Sequence, residues 1–151
     1  MNNIIIRKAE ATDCQQMLEL IKELAVYEKA PDEVTVTMEE FVDTGFGDAP
    51  VWEAFVADVD DHIVGISLFY IRYSTWKGRR LYLEDIIVTE HMRGKGIGKL
   101  LFDATWKLCK ERQYSGMAWQ VLEWNEPAIN FYQKYGATFD KEWVNVSLDT
   151  F

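Results

Sequence analysis

Apolar positions along this chain alternate between a period of two and a period near 3.6, and each change of period marks an element. Ile4-Ile5-Ile6 reads as a first strand. Met17, Leu18, Leu20, Ile21, Leu24 and Ala25 then recur at helical spacing. They predict a helix capped by Thr12 or Asp13 that continues to about Lys29 and is ended by Pro31. A short helix follows, capped by Thr37, holding Met38, Phe41 and Val42, and closed by Gly45-Phe46-Gly47-Asp48. Val51 to Val59 and His62 to Tyr73 read as strands joined by a tight turn at Asp60-Asp61. Trp76 lies in the next turn with Lys77-Gly78, and Leu81 to Val88 is a fourth strand. A long helix reaches about Arg112, and Ser115 to Leu122 is a fifth strand. Asn125 or Glu126 starts a further helix with Pro127 in its first turn, a favoured place for proline. Ala128, Phe131, Tyr132 and Tyr135 share one face of it, and Gly136 stops it. Ala137–Phe139 and Glu142–Leu148 are expected to form a closing hairpin. The order predicts an α/β chain (α+β in some schemes), with a mixed central sheet flanked by helices.

The stretch from Tyr82 to Leu108 carries the chemistry. Leu83, Ile86, Ile87 and Val88 suit a buried strand. Ile97, Leu100, Leu101, Ala104 and Leu108 form one helical stripe. Between them stands Arg93-Gly94-Lys95-Gly96-Ile97-Gly98. Glycines at a strand-to-helix turn let a ligand approach the backbone closely. The first amides of the helix have no internal partner and sit at the positive end of its dipole. Such a turn is an anion site, and phosphate is its usual occupant. A Walker loop would need Gly-Lys followed by Ser or Thr, and here Leu follows. A dinucleotide fingerprint needs Gly-x-Gly-x-x-Gly after a first strand, whereas these glycines alternate and fall past the middle of the chain. The pattern present is Arg-x-x-Gly-x-Gly.

Composition narrows the classes. At 151 residues with 48% hydrophobic content, six Trp included, the chain is long enough for one domain with a proper core, and a single domain over 1–151 is expected. A formal net charge of −9 argues against a nucleic-acid partner and is compatible with a cationic small substrate. No apolar run approaches a membrane span. Met1-Asn2-Asn3-Ile4 lacks the charged start and apolar core of a signal peptide, so a cytoplasmic location is expected. Cys14 and Cys109 are far apart and expected to be reduced and buried. His62 and His91 are too few for a histidine metal site, and no metal is expected.

The strand, the Arg93–Gly98 turn, the following helix and Tyr132 together resemble the GNAT superfamily of acetyl-CoA-dependent N-acetyltransferases. More specifically, the chain resembles the diamine acetyltransferase branch, which holds the spermidine/spermine and thialysine N-acetyltransferases. The resemblance is carried by Leu20 to Ala25, Tyr27-Glu28, Gly45-Phe46-Gly47, Tyr82-Leu83-Glu84-Asp85, Arg93 to Gly98 and Glu123 to Pro127 with Ile129 to Tyr132. These matches run in one order from about Ile6 to Trp143. Tyr73 to Arg79 looks like the thialysine enzymes, because the polyamine enzymes carry an acidic residue where this chain has Ser74. Glu123-Trp124-Asn125-Glu126-Pro127 looks like the polyamine enzymes.

The resemblance implies direct acetyl transfer from acetyl-CoA to a primary amine of a thialysine-like amino acid, a diamine or a polyamine. Such an amine has a pKa near ~10.4, and removing its proton at pH 7 costs about 4–5 kcal/mol. Glu84 is the expected base, acting through water, and alternation predicts that Asp85 faces the opposite way. Tyr132 is the expected acid for the leaving thiolate. Ile86, Ile87 and Val88 are expected along the pantetheine arm, Arg93, Gly94, Lys95, Gly96, Ile97, Gly98 and Lys99 at the pyrophosphate, and Asn125, Ala128 and Tyr135 elsewhere on the cofactor. Tyr27, Glu28, Trp76, Glu84 and Glu142 are expected around the amine, where carboxylates and aromatic faces hold ammonium groups. A homodimer is implied by the relatives. Two alternatives remain open: acetylation of a protein or peptide, and a non-catalytic acyl-CoA-binding module.

Overall fold

A computed structural model describes residues 3–150. Met1 and Asn2, part of the N-terminal start discussed above, lie outside the described residues, as does Phe151. The elements are β1 (Ile5–Lys8), α1 (Cys14–Tyr27), α2 (Met38–Phe46), β2 (Glu53–Val59), β3 (His62–Ser74), β4 (Gly78–Val88), α3 (Ile97–Glu111), β5 (Met117–Trp119) and α4 (Glu126–Gln133). They fall into two compact units, Met1–Gln120 and Val121–Phe151.

In the first unit the strands lie in the order β1-β2-β3-β4-β5. Pairing is antiparallel from β1 to β4 and parallel between β4 and β5. Each face of the sheet buries a separate apolar cluster. Met17, Leu18 and Leu20 of α1 and Phe41 of α2 pack on Val56, Ile66, Leu68 and Ile87. Ile97 and Leu101 of α3 pack on Ala57, Val59 and Val64, with Ile86 and Val88 alongside. The mixed sheet flanked by helices is therefore as the period changes predict.

Local signals explain most boundaries. Thr37 caps α2, its hydroxyl accepting from the Glu40 amide at 3.1 Å. Asp60 and Asp61 both take positive φ, 52° and 68°, as the tightest hairpin turns require. The start and end of α1 differ from expectation. Asp13 takes the expected N-cap position but makes no side-chain cap bond to α1; its carboxylate accepts from the two terminal guanidinium nitrogens of Arg7, at 2.8 and 3.0 Å, and from the Glu10 amide at 2.7 Å. The helix ends at Tyr27, and Lys29 turns left-handed at φ 63° before Pro31 is reached.

In the second unit Asn125 caps α4, its side chain accepting from the Ala128 amide at 3.3 Å, with Pro127 in the first turn. The expected closing hairpin is absent: residues 137–150 contain no strand. Trp143, Val144, Val146 and Leu148 are all exposed. Their alternating pattern suits a strand, but a strand exists only with a ladder to bond it. The same rule shortens the fifth strand from the expected Ser115–Leu122 to Met117–Trp119, the three residues in register with β4.

Candidate active site

The centre of the candidate site is an irregularity in β4. Leu83 is in register with Phe69 of β3, and Asp85 with Leu68, so Glu84 is an extra residue in the ladder. Such a bulge breaks the strict alternation of side chains. Leu83 shares a face with Phe69, whose ring packs against Phe55 in the α3-side cluster. Asp85 shares a face with Leu68 and Ile87, both in the α1-side cluster. Glu84 faces that side too, since its Oε1 accepts from the hydroxyl of Tyr70, the partner of Tyr82, at 2.8 Å. The expectation that Glu84 and Asp85 point to opposite faces is therefore wrong. The bulge puts two consecutive carboxylates on the face covered by α1.

That crowding has an electrostatic consequence. Burial raises the Asp85 carboxyl to about 7, and the neighbouring charges of Glu84 and Glu28 add to the shift. Burial also raises the Glu28 carboxyl at the C-terminal end of α1. The Tyr70 phenol is held well above the ordinary phenol range, first by burial and then by its bond to Glu84. Tyr82, whose ring centroid lies 5.4 Å from that of Tyr70, is raised by burial and by Glu84. Three carboxylates and two phenols thus form one cluster, in which Asp85 is the group able to exchange a proton near neutral pH. Periodicity could not single it out, because a bulge is set by the partner strand's register.

β4 leads from this cluster into the glycine turn. Gly94 and Gly96 take φ values of 78° and 81°, a conformation that favours glycine. A Cβ at either would meet no atom within 4 Å, so backbone conformation rather than packing sets the requirement. Gly96 caps α3, and its carbonyl accepts from the Leu100 amide at 3.1 Å. Ile97 is buried, Gly98 is partly covered, and Lys95 is exposed. Lys99 is exposed and paired with Asp103 at 2.6 Å. Arg93 is turned back towards α1: its Nε donates to the Val88 carbonyl at 2.9 Å, and its guanidinium carbon lies 5.3 Å from the Tyr27 ring centroid. Between the cluster and the turn, the β5 ladder ends at Leu83 with Trp119. From Glu84 to Val88, that edge of β4 has no strand partner among the described residues. The side chains of Ile86 and Val88 pack towards α3 and that of Ile87 towards α1, which leaves their backbone facing along the edge.

The structure thus brings Glu28, Glu84 and Asp85 together, and it joins Tyr27 to Arg93. Trp76 stands at the hairpin turn and is 86% exposed. Ser74 supports that turn, its hydroxyl accepting from the amides of Trp76 and Lys77 at 3.2 and 3.1 Å. In the second unit, Tyr132 is buried on α4, with its ring centroid 5.5 Å from that of Phe131. Tyr135 lies 5.3 Å from the same ring. Asn125 and Ala128 form the helix cap, and Glu142 is exposed, its amide bonded to Asp140. Among the described residues, no group of three or more His, Cys, Asp or Glu side chains is placed to hold a metal ion.

The chain is 38% identical over 142 residues to a thialysine N-epsilon-acetyltransferase of Bos taurus, covering 89% of this chain and 84% of the relative. It is 37% identical over 144 residues to spermidine/spermine N(1)-acetyltransferase-like protein 1 of Homo sapiens, a match over 91% of this chain but 21% of that longer protein. Among solved structures, an aminoglycoside N-acetyltransferase in complex with CoA superposes with a TM-score of 0.77 at 18% identity, covering 98% of this chain and 96% of that one, which shows the fold. The model of the acetyltransferase (GNAT) family matches residues 13–137, across both units. With that match and these relatives, the chain belongs to the GNAT family of N-acetyltransferases.

Proposed function

We propose that this protein moves an acetyl group from acetyl-CoA directly to a primary amine of a small cationic substrate, of the thialysine, diamine or polyamine kind. The observation that carries the reading is the carboxylate cluster at the β4 bulge, with a strand edge that has no strand partner among the described residues running from it to the glycine turn at the start of α3. The donor set fits acetyl-CoA. The α3 N-terminus and the left-handed glycines suit a pyrophosphate, and the edge from Glu84 to Val88 can pair with an extended amide-bearing arm. Bound there, acetyl-CoA supplies an activated acyl group as its thioester. The relatives named for thialysine and spermidine/spermine acetylation support a small amine.

Each residue then has a task. Glu28, Glu84 and Asp85 hold the ammonium group by charge. Glu84 takes the amine's proton through water, and Asp85, poised near neutrality, shares that proton. Tyr132 holds the phenolic proton that a departing thiolate takes. Tyr27, Trp76 and Glu142 are assigned to the amine, and Asn125, Ala128 and Tyr135 to the cofactor. Both units form one acetyltransferase domain in this reading, consistent with the family match that spans them. The protein works as a homodimer, to be checked by its sedimentation mass.

The test is CoA release from acetyl-CoA over a panel of thialysine, ornithine, putrescine and spermidine, with Tyr132→Phe and Glu84→Gln beside the parent. Turnover on thialysine that exceeds spermidine is expected, because Ser74 offers no second carboxylate. Loss of general acid or base catalysis lowers kcat by roughly 10²–10⁴-fold. No turnover on any amine would sink the small-amine reading, and turnover unchanged in Tyr132→Phe would sink the acid assignment.

A further inference from the structure

Glu23 lies on α1, one turn before Tyr27, and its carboxylate reaches across to the segment that connects β4 with the glycine turn. Its Oε1 accepts from the Thr89 hydroxyl at 2.9 Å, and its Oε2 from the Glu90 amide at 3.1 Å. The Arg93 Nη2 stands 3.8 Å from the same Oε2. Thr89 is also held by the sheet, through its amide to the Val64 carbonyl at 2.9 Å. One side chain therefore ties the start of residues 89–93 and also meets their end. Those residues include the short 3-10 turn Glu90–Met92, closed by the Met92 amide to the Thr89 carbonyl at 3.0 Å and the Arg93 amide to the Glu90 carbonyl at 3.2 Å. Arg93 completes the link, because it joins the Val88 carbonyl, Glu23 and the Tyr27 ring.

We infer that Glu23 is a positioning residue for the anion turn: it braces residues 89–93 against α1, so that Gly94–Gly98 is presented in its binding conformation before a ligand arrives. This rests on the reading that the turn binds the pyrophosphate of acetyl-CoA. Arg93 then serves as a strut between turn and helix rather than as a free anion ligand. A carboxylate beside an anion site repels the anion, so if charge were its whole effect, removing it would tighten binding. If bracing dominates, removal weakens binding, because a loose loop must be ordered by the ligand.

Two substitutions separate these effects. Glu23→Gln removes the charge but keeps an acceptor for Thr89 or Glu90. Glu23→Ala removes both. Titration calorimetry with CoA is the direct measurement, with steady-state kinetics and amide hydrogen exchange beside it. Glu23→Ala is expected to raise the Kd for CoA and the KM for acetyl-CoA by about ten-fold, the scale of one lost charge-assisted hydrogen bond. Its kcat is expected to stay within about two-fold, since no reacting group is touched. Glu23→Gln is expected to bind close to the parent. The Glu90 amide is expected to exchange faster in Glu23→Ala with no ligand present. If Glu23→Ala binds CoA as tightly as the parent or more tightly, or if Glu90 exchange is unchanged, the brace is overturned. A parent that does not bind CoA would overturn the acetyl-CoA reading and, with it, this inference.

Discussion

Asp85 ionises late because of where β4 places it. Its carboxyl stays protonated to about 7 in the folded chain, against an ordinary value of 3.8. The folded state therefore binds more protons than the unfolded state between those values, and stability falls as pH rises through that window. Replacing the carboxyl by an amide removes the penalty. Asp85→Asn is expected to melt above the parent at pH 8 and to match it near pH 4, as thermal melts across pH would show. A gap that does not change with pH would refute the shift. The same group predicts an acid limb near pH 7 in kcat/KM for the amine, absent in Asp85→Asn. The sequence showed both carboxylates but not their arrangement. Reading Tyr82 to Val88 with a period of two places Glu84 and Asp85 back to back, and nothing in those seven residues marks the extra one. Only the partners Leu68 and Phe69 reveal it.

The elements follow local chemistry where local chemistry decides. Thr37, Asp60-Asp61 and Pro127 each set a boundary that a single residue type can specify. The pattern failed where pairing decides, at β5 and in residues 137–150, because alternation reports willingness to be a strand and not the presence of a ladder. Within the glycine turn, two glycines should separate. Gly96 sits at φ 81°, where a side chain costs about 1–2 kcal/mol. A Cβ on Gly98, inside α3, would meet Val88 at 3.8 Å, an ordinary contact. Gly96→Ala is thus expected to destabilise the protein by that amount and to weaken acetyl-CoA binding. Gly98→Ala is expected to be neutral or slightly stabilising, since alanine favours a helix by up to about 1 kcal/mol over glycine. Chemical denaturation of both variants checks the contrast, and equal losses would refute it.

The chain carries a formal charge of −9, yet Arg72, Lys77, Arg79 and Arg80 gather on the β3–β4 hairpin. The rest of the chain is correspondingly more acidic, and Glu28 together with Glu84 and Asp85, further along β4 from that basic end, forms an acidic group beside it. A polycationic amine should therefore be drawn in at long range, an effect that salt screens over about 10 Å at 0.1 M. The KM for a diamine is expected to rise several-fold between low salt and about 0.5 M salt, with kcat unchanged. A KM indifferent to salt would mean that recognition is made at contact distance alone. The fold class was legible in the sequence because every core element of the first unit carries its own periodicity. The proton-exchanging group was not, because it is a property of three carboxylates brought together from positions 28, 84 and 85.

The extra residue in β4 also limits what can be transplanted. Side chains can be copied between homologous scaffolds one at a time, but a phase slip cannot. A strand carrying Leu-Glu-Asp-Ile without the extra residue would show one acid to each side of the sheet, whatever else were substituted around it. A one-residue deletion between Leu83 and Asp85 would repair the ladder and keep Leu83 and Ile87 on the faces they now occupy. The protein would remain foldable while losing its paired acids. A single-residue insertion, rather than a point change alone, is therefore the route by which a sheet of this kind brings two consecutive acids to one face.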